Sequence, residues 1–280
     1  MPWKLIVTWK VGLILGKSSS DSKPVALVTG ASSGIGAVYS EALADAGYHV
    51  ILVARREDKL KAVQSRTGGD ILVADLATDG GVSQVMTRIR DTPALDFLVN
   101  NAGFGTQGYF WEAPLSGQEA MHRLHVLAPM HLTHVALPRM VARDRGFIVN
   151  VSSVAGFGQN TGSVSYCATK TWMNSFTEGL WLELRARDSN VRVQALCPGY
   201  TRSEFHDVAE LDMSRVPESL WHSAEDIVES SLNGLPSNEL FVIPGWRYQT
   251  WVAMQKVLPR EIIYAITKKS TAEFRKSKHA

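Results

Sequence analysis

The sequence predicts a single α/β domain built on a doubly wound parallel sheet, and three observations predict it. Its short aliphatic runs are apolar throughout rather than alternating with polar residues, as expected of strands covered by helices on both faces. Each run is followed by a stretch with helical spacing, so strand and helix alternate along the chain. The first run leads straight into a glycine-rich turn that opens a helix.

Taken in order, the first strand lies in "PVALVTG" and its helix in "AVYSEALADAG". "HVILVAR" pairs with "EDKLKAVQSR", and "ILVADL" with "VSQVMTRIR". "LDFLVNN" and "GFIVNVSS" each precede a long helical stretch, and "VRVQALCPG" and "LFVIPG" complete the strand set. Between those last two, "SAED" at 223–226 reads as a capping box that opens another helix. The domain is expected to span 24–245, with no internal repeat. Ahead of it, residues 1–23 form a leader that ends in the polar linker "GKSSSDSKP". Behind it, residues 246–280 form a tail with apolar positions Trp251, Met254, Leu258, Ile262, Ile263 and Ile266 set among basic ones.

The 280 residues, 45% hydrophobic and 20% charged, can bury a sizeable core and are neither disordered nor fibrous in composition. Two cysteines, Cys167 and Cys197, are too few for a disulfide framework, which points to a reducing compartment and a cytoplasmic protein. The net charge of +2 is unevenly spread: residues 1–23 carry +3, residues 246–280 carry +6 and the middle carries −7. Trp3, Trp9, Trp246 and Trp251 lie in the basic ends. Two readings of those ends stay open: solvated termini with aromatics packed on the core, or a peripheral contact with a membrane surface. The apolar run "LIVTWKVGLIL" falls short of the roughly 20 residues a bilayer span needs and has no small-residue cleavage site. No nucleic-acid partner is expected.

"VALVTGASSGIG" places Gly30, Gly34 and Gly36 between strand and helix, where backbone N–H groups can approach a pyrophosphate at the positive helix end. The spacing is T-G-x3-G-x-G. With "NNAG" (100–103), "VSS" ending at Ser153, "YCATK" (166–170) and "PG" (198–199) following in order, the sequence resembles the classical short-chain dehydrogenase/reductase family over about 24–245. The resemblance implies a Rossmann fold and the interconversion of a small-molecule carbonyl and alcohol with a nicotinamide cofactor.

The second strand ends "LVARR", with no acid until Glu57. A ribose without a 2′-phosphate favours a carboxylate at this place, whereas Arg55 and Arg56 suit the phosphate of NADP(H). The alternative is that these arginines only solvate a strand end. Many NADP-preferring family members carry a second basic residue where this chain has Ser33. The resemblance implies cofactor contacts from Gly30, Ser32, Ser33, Gly34, Ile35 and Gly36 in the turn, and from Asp75 and Leu76 near the adenine. It further implies contacts from Asn101, Ala102 and Gly103 along the adenosine ribose, and from Pro198, Gly199, Thr201 and Ser203 by the nicotinamide.

Tyr166 and Lys170, four apart, share one face of a helix. An ammonium about 4 Å from a phenol, at an effective dielectric near 20, contributes roughly 4 kcal/mol, or about three pKa units. Such a pair can make tyrosine a general acid/base. By resemblance, Ser153 hydrogen-bonds the substrate oxygen, Tyr166 transfers the proton, and Lys170 lowers the tyrosine pKa and holds the nicotinamide ribose. Ser152 is the second choice for the serine, and Cys167 is read as packing.

"HRLHVLAPMHLTH" (122–134) holds four histidines. On a regular helix His122 and His125 fall about 60° apart, with His131 and His134 on the opposite side, so one ion cannot gather all four and no metal is expected. By resemblance, His125 stands 28 residues before Ser153, where the family commonly has the asparagine of its catalytic tetrad. Histidine donates, accepts and could titrate near neutrality there. A packed helix histidine is the alternative.

Residues 200–222 follow the "PG" motif, where family members carry a substrate lid. Phe205, Leu211, Met213, Val216, Leu220 and Trp221 make the segment apolar and point to a hydrophobic ketone or aldehyde. By resemblance the chain forms a homodimer or homotetramer through its two long helices, with Trp172, Phe176 and Trp181 as candidate surface. Two further readings stay open: a membrane-associated lipid or steroid-type reductase, and a catalytically weak nucleotide-binding regulatory protein. Intact Ser153, Tyr166 and Lys170 argue against the second.

Overall fold

The computed structural model describes residues 23–105, 108–202, 216–265 and 267. Seven parallel strands form one sheet: β1 (Val25–Thr29), β2 (His49–Ala54), β3 (Asp70–Val73), β4 (Leu95–Asn100), β5 (Phe147–Val151), β6 (Arg192–Leu196) and β7 (Phe241–Val242). Their spatial order is β3-β2-β1-β4-β5-β6-β7. The chain winds outward from β1 to β3, then crosses back to lay β4 on the other side of β1, with Val28 beside Val99. That reversal opens a crevice at the carboxyl ends of β1 and β4, where open parallel sheets bind ligands.

The strands are apolar on both faces because both faces are covered. From β1, Ala26 and Val28 join Tyr39, Leu43, Val228 and Leu232 in one layer, while Leu27 joins Leu98, Leu132 and Met140 in the other. The helices between strands are α1 (Gly34–Asp45), α2 (Glu57–Thr67), α3 (Asp79–Asp91), α4 (Leu115–His122), α5 (Ala128–Ala142), α6 (Val164–Arg185) and α7 (Ala224–Gly234). The expected capping box opens α7: Ser223 Oγ accepts from the Asp226 N–H at 3.0 Å, and the Asp226 carboxylate accepts from the Ser223 N–H. A further helix, α8 (Trp246–Val257), buries Tyr248 and Val252.

One element departs from the regular helix expected around the histidines. Between α4 and α5 the backbone makes a π-helical turn, Arg123–Leu127. Pro129 has no N–H to give the carbonyl four residues before it, that of His125, so α-helical bonding cannot run through this point. The extra residue in the turn breaks the 60° relation between His122 and His125. His125 points inward and is fully buried, whereas His122, His131 and His134 are exposed.

Candidate active site

The crevice is floored by the turn after β1. Gly30 has φ +67°, and a Cβ there would stand 2.7 Å from Asn101 Nδ2 and 2.9 Å from Ala102 Cα. Only glycine lets the two strand ends approach so closely. Asn101 Nδ2 donates to the carbonyls of Thr29 and Gly30 at 2.9 and 3.2 Å, and the N–H groups of Asn101 and Ala102 donate to Thr29 Oγ1. This ties β4 to the glycine turn.

α1 begins at Gly34 after Ser33, whose side chain makes no capping bond to the first turn. Uncapped N–H groups at a helix N-terminus are an anion site. Arg56 Nη2 donates to Ser32 Oγ at 3.1 Å and Ser33 Oγ at 3.0 Å, so its guanidinium lies over the turn. Arg55 lies 3.9 Å from Asp75, a weak, exposed pair. Ser33 thus does structural work for a basic site, although it is not basic itself. The residues present fit the phosphates of a dinucleotide. Leu76 is buried in the core, and Gly103 lies against the His125 ring. Ser203 falls outside the described residues, as do Phe205, Leu211 and Met213.

Ser153 lies two residues past the end of β5 and caps a short 3₁₀ turn, Val154–Phe157, its Oγ accepting from the Ala155 N–H at 3.1 Å. It also hydrogen-bonds Tyr166. Ser152 turns the other way, donating to the Lys170 carbonyl at 3.1 Å. Tyr166 and Lys170 share a face of α6, with the Lys170 Nζ 5.8 Å from the Tyr166 ring centroid. The structure therefore brings Ser153, Tyr166 and Lys170 together above the glycine turn's end of the sheet.

The electrostatics differ from the sequence expectation. Lys170 is buried, donates to the Val151 carbonyl at 2.7 Å, and burial lowers its pKa to about 8. Burial raises the Tyr166 phenol to about 12, only partly offset by the Ser153 hydrogen bond. A cation expected to acidify the phenol is turned to a carbonyl and itself weakened by desolvation. In the chain alone Tyr166 is a protonated phenol across the neutral range, which suits proton donation.

Lys170 carries a measurable linkage. Its folded pKa lies below the unfolded value, so between about pH 8 and 10.5 the unfolded chain binds more protons, and the lysine's burden on folding fades as pH rises. Relative to a Lys170→Met variant, the wild type is expected to gain about 3 kcal/mol across that window. Urea melts of both proteins at pH 7 and pH 10 check it; a difference that does not move with pH removes the buried ammonium.

His125 is held on both ring nitrogens. Nε2 accepts from the Phe104 N–H at 3.2 Å, and Nδ1 lies 3.0 Å from Thr169 Oγ1. The Thr169 hydroxyl gives its proton to the Tyr166 carbonyl at 2.9 Å, so His125 carries its own proton on Nδ1. Burial, then the Lys170 charge, then His122, hold its pKa well below the usual histidine value. The expectation that His125 titrates near neutrality is thereby corrected: a second proton would meet the Phe104 N–H head on. The ring packs edge-on against Tyr166, centroids 5.9 Å apart. His125→Ala, which strands the Phe104 N–H, is expected to lose about 1–3 kcal/mol of stability, and His125→Asn less. Neither is expected to change the shape of a pH–rate profile between about pH 5 and 8. A lost inflection in that range rejects the neutral assignment.

Two residues at the site went unread in the sequence. Thr169 completes the His125–Tyr166 link, and only its position beside Lys170 hints at it. Tyr248 of α8 packs its ring on Gly199, accepts from the Tyr200 N–H at 3.0 Å and donates to the Leu220 carbonyl at 2.7 Å. Thr201 bridges to His222 nearby, and the Pro198 carbonyl accepts from the Val154 N–H.

Residues 24–213 match the short chain dehydrogenase family model. An uncharacterised oxidoreductase of Staphylococcus saprophyticus is 32% identical over 216 residues, 75% of this chain and 88% of that protein. A short-chain dehydrogenase from Sphingobium yanoikuyae, solved in complex with NADPH, is 33% identical with a TM-score of 0.75, over 86% of this chain and 95% of that one. A bulky-bulky ketone specific alcohol dehydrogenase from Comamonas testosteroni is 30% identical with a TM-score of 0.72, over 86% and 94%. With the doubly wound sheet, the glycine turn and the Ser153–Tyr166–Lys170 cluster in place, this chain belongs to the short-chain dehydrogenase/reductase family of oxidoreductases.

Proposed function

We propose that the protein reduces a hydrophobic ketone or aldehyde to the alcohol with NADPH. The observation that carries this is a half-buried, protonated Tyr166 hydrogen-bonded to Ser153 in a crevice flanked by Arg55 and Arg56. When bound, the nicotinamide supplies the hydride. The chain's own part is to position and to move a proton. Ser153 Oγ holds the carbonyl oxygen, and Tyr166 Oη delivers the proton to that oxygen as negative charge builds on it. Lys170 Nζ would hold the nicotinamide ribose, and the N–H groups opening α1 the pyrophosphate, with Arg55 and Arg56 on the 2′-phosphate. The ketone enzyme of Comamonas testosteroni and the NADPH complex of Sphingobium yanoikuyae support this choice of substrate and cofactor. The same reading includes assembly through α5 and α6, where Trp172 and Phe176 stack at 4.7 Å.

The test is a screen of bulky ketones and aldehydes with NADPH and with NADH, beside Tyr166→Phe. Turnover with NADPH that the variant lacks is expected. Equal activity with NADH, or none with any carbonyl, overturns the proposal.

A further inference from the structure

Helix α8 has two faces of opposite character. At 100° per residue, Tyr248, Trp251, Val252 and Gln255 fall on one side of α8, and all four are buried or half-buried. Trp246, Thr250, Ala253 and Val257 fall on the other side, and all four are exposed. The inner face is fully engaged. Tyr248 joins Tyr200 to Leu220, while Gln255, with its amide turned to suit both neighbours, donates to the Phe157 carbonyl at 2.9 Å and accepts from Trp251 Nε1. Phe157 ends the 3₁₀ turn that Ser153 caps, and Tyr200 follows the Pro198–Gly199 pair.

The outer face leaves large apolar groups in water. Trp246 is 67% exposed and Val257 82%, and the helical segment that follows, 260–265, adds Ile262 at 46% and Tyr264 at 58%. Arg247, Lys256 and Arg260 surround them, all exposed, and Glu261 is the one acid in 246–265. The chain beyond is basic again, with five Lys or Arg against Glu273 in 268–280. A tryptophan, a tyrosine and aliphatic side chains ringed by cations match the headgroup boundary of an anionic bilayer.

We propose that the outer face of α8, with the exposed residues up to Tyr264 that follow it, docks the protein on an anionic lipid surface. A second copy fits the face poorly, because an isologous contact would set these cations against themselves. No helix among the described residues is long and apolar enough to cross a membrane, so the contact is peripheral. Because the inner face holds Phe157 and Tyr200, next to the Ser153 turn and the Pro198–Gly199 pair, docking brings the lipid close to the site. A substrate dissolved in the bilayer then has the shortest way in, a consequence that rests on the reductase reading.

The experiment is vesicle sedimentation of the full chain with phosphatidylcholine alone and with mixed phosphatidylcholine and phosphatidylglycerol. Anionic vesicles are expected to bind about tenfold tighter or more, and added salt to weaken them. Deleting residues 246–280 is unsuitable because it would remove the buried Tyr248 and Val252. Val257→Asp combined with Trp246→Ser changes only exposed positions and is expected to weaken anionic binding at least about tenfold. Its melting temperature and NADPH affinity should stay at wild-type values. No vesicle binding, equal binding to both vesicles, or binding untouched by the double substitution overturns the proposal. So does a dimer that the substitution splits while vesicle binding persists. Since sedimentation needs no turnover, a failed carbonyl screen leaves this result readable.

Discussion

Tyr166→Phe is expected to lower carbonyl reduction by roughly a thousandfold or more while leaving NADPH affinity within about threefold of wild type. The substitution removes one oxygen and keeps the ring, whose edge packs against His125 and whose face lies 5.8 Å from Lys170 Nζ. The His125 contact ties α6 to the π turn and survives the change, so the neighbouring residues keep their places. What disappears is the hydroxyl that burial has kept protonated at about 12 and that Ser153 aligns. Ser153 remains as a hydrogen-bond donor, but its own proton would have to be replaced from solvent through the 3₁₀ turn that it caps. Stability is expected to hold or rise slightly, since a desolvated hydroxyl has been removed from the interior. The measurement is steady-state NADPH oxidation on whichever ketone the screen selects, with cofactor affinity read by fluorescence. Retention of a tenth of the wild-type rate removes Tyr166 from the proton-transfer step.

The doubly wound sheet was readable because both of its faces are buried. Alternate residues of β1 and β2 feed different core layers, so neither layer's needs interrupt the apolar run. The glycine turn and the Tyr166–Lys170 spacing were readable for a related reason: each is local, and one helical turn or one tight bend fixes its geometry. Long-range partners were not. The Nδ1 proton of His125 is assigned by Thr169, 44 residues away, and by Phe104, 21 residues away. Tyr248 reaches back 48 residues to the Tyr200 N–H. A sequence names the imidazole and the phenol but not the acceptor that each will face. The elevated phenol and depressed ammonium are harder still, because desolvation depends on everything packed around a group. At the π turn, Pro129 announced a break in hydrogen bonding, but not that the chain would absorb it by adding a residue and rotating His125 inward.

Replacing both Arg55 and Arg56 with alanine is expected to weaken NADPH binding by about a hundredfold and to change NADH binding by less than about threefold. The two guanidiniums stand at the end of β2, where an adenosine 2′-phosphate would add negative charge and NADH would add none. Arg56 should dominate. It is aimed at the crevice by Ser32 and Ser33, so less side-chain freedom is lost when it takes up a phosphate oxygen. Arg55 points instead toward Asp75, 3.9 Å away, and must leave that exposed partner to contribute. The single variants should therefore rank Arg56→Ala well below Arg55→Ala in NADPH affinity. Added salt should weaken wild-type NADPH binding more than that of the double variant, because screening acts on the charges that have been removed. Fluorescence titration of all four proteins with both cofactors reads each of these outcomes. The serine bridges supply the competing explanation: if Arg56 mainly shapes the glycine turn, its loss would loosen the pyrophosphate contacts that both cofactors share. Equal weakening of NADH and NADPH would establish that explanation and withdraw the arginines from phosphate recognition.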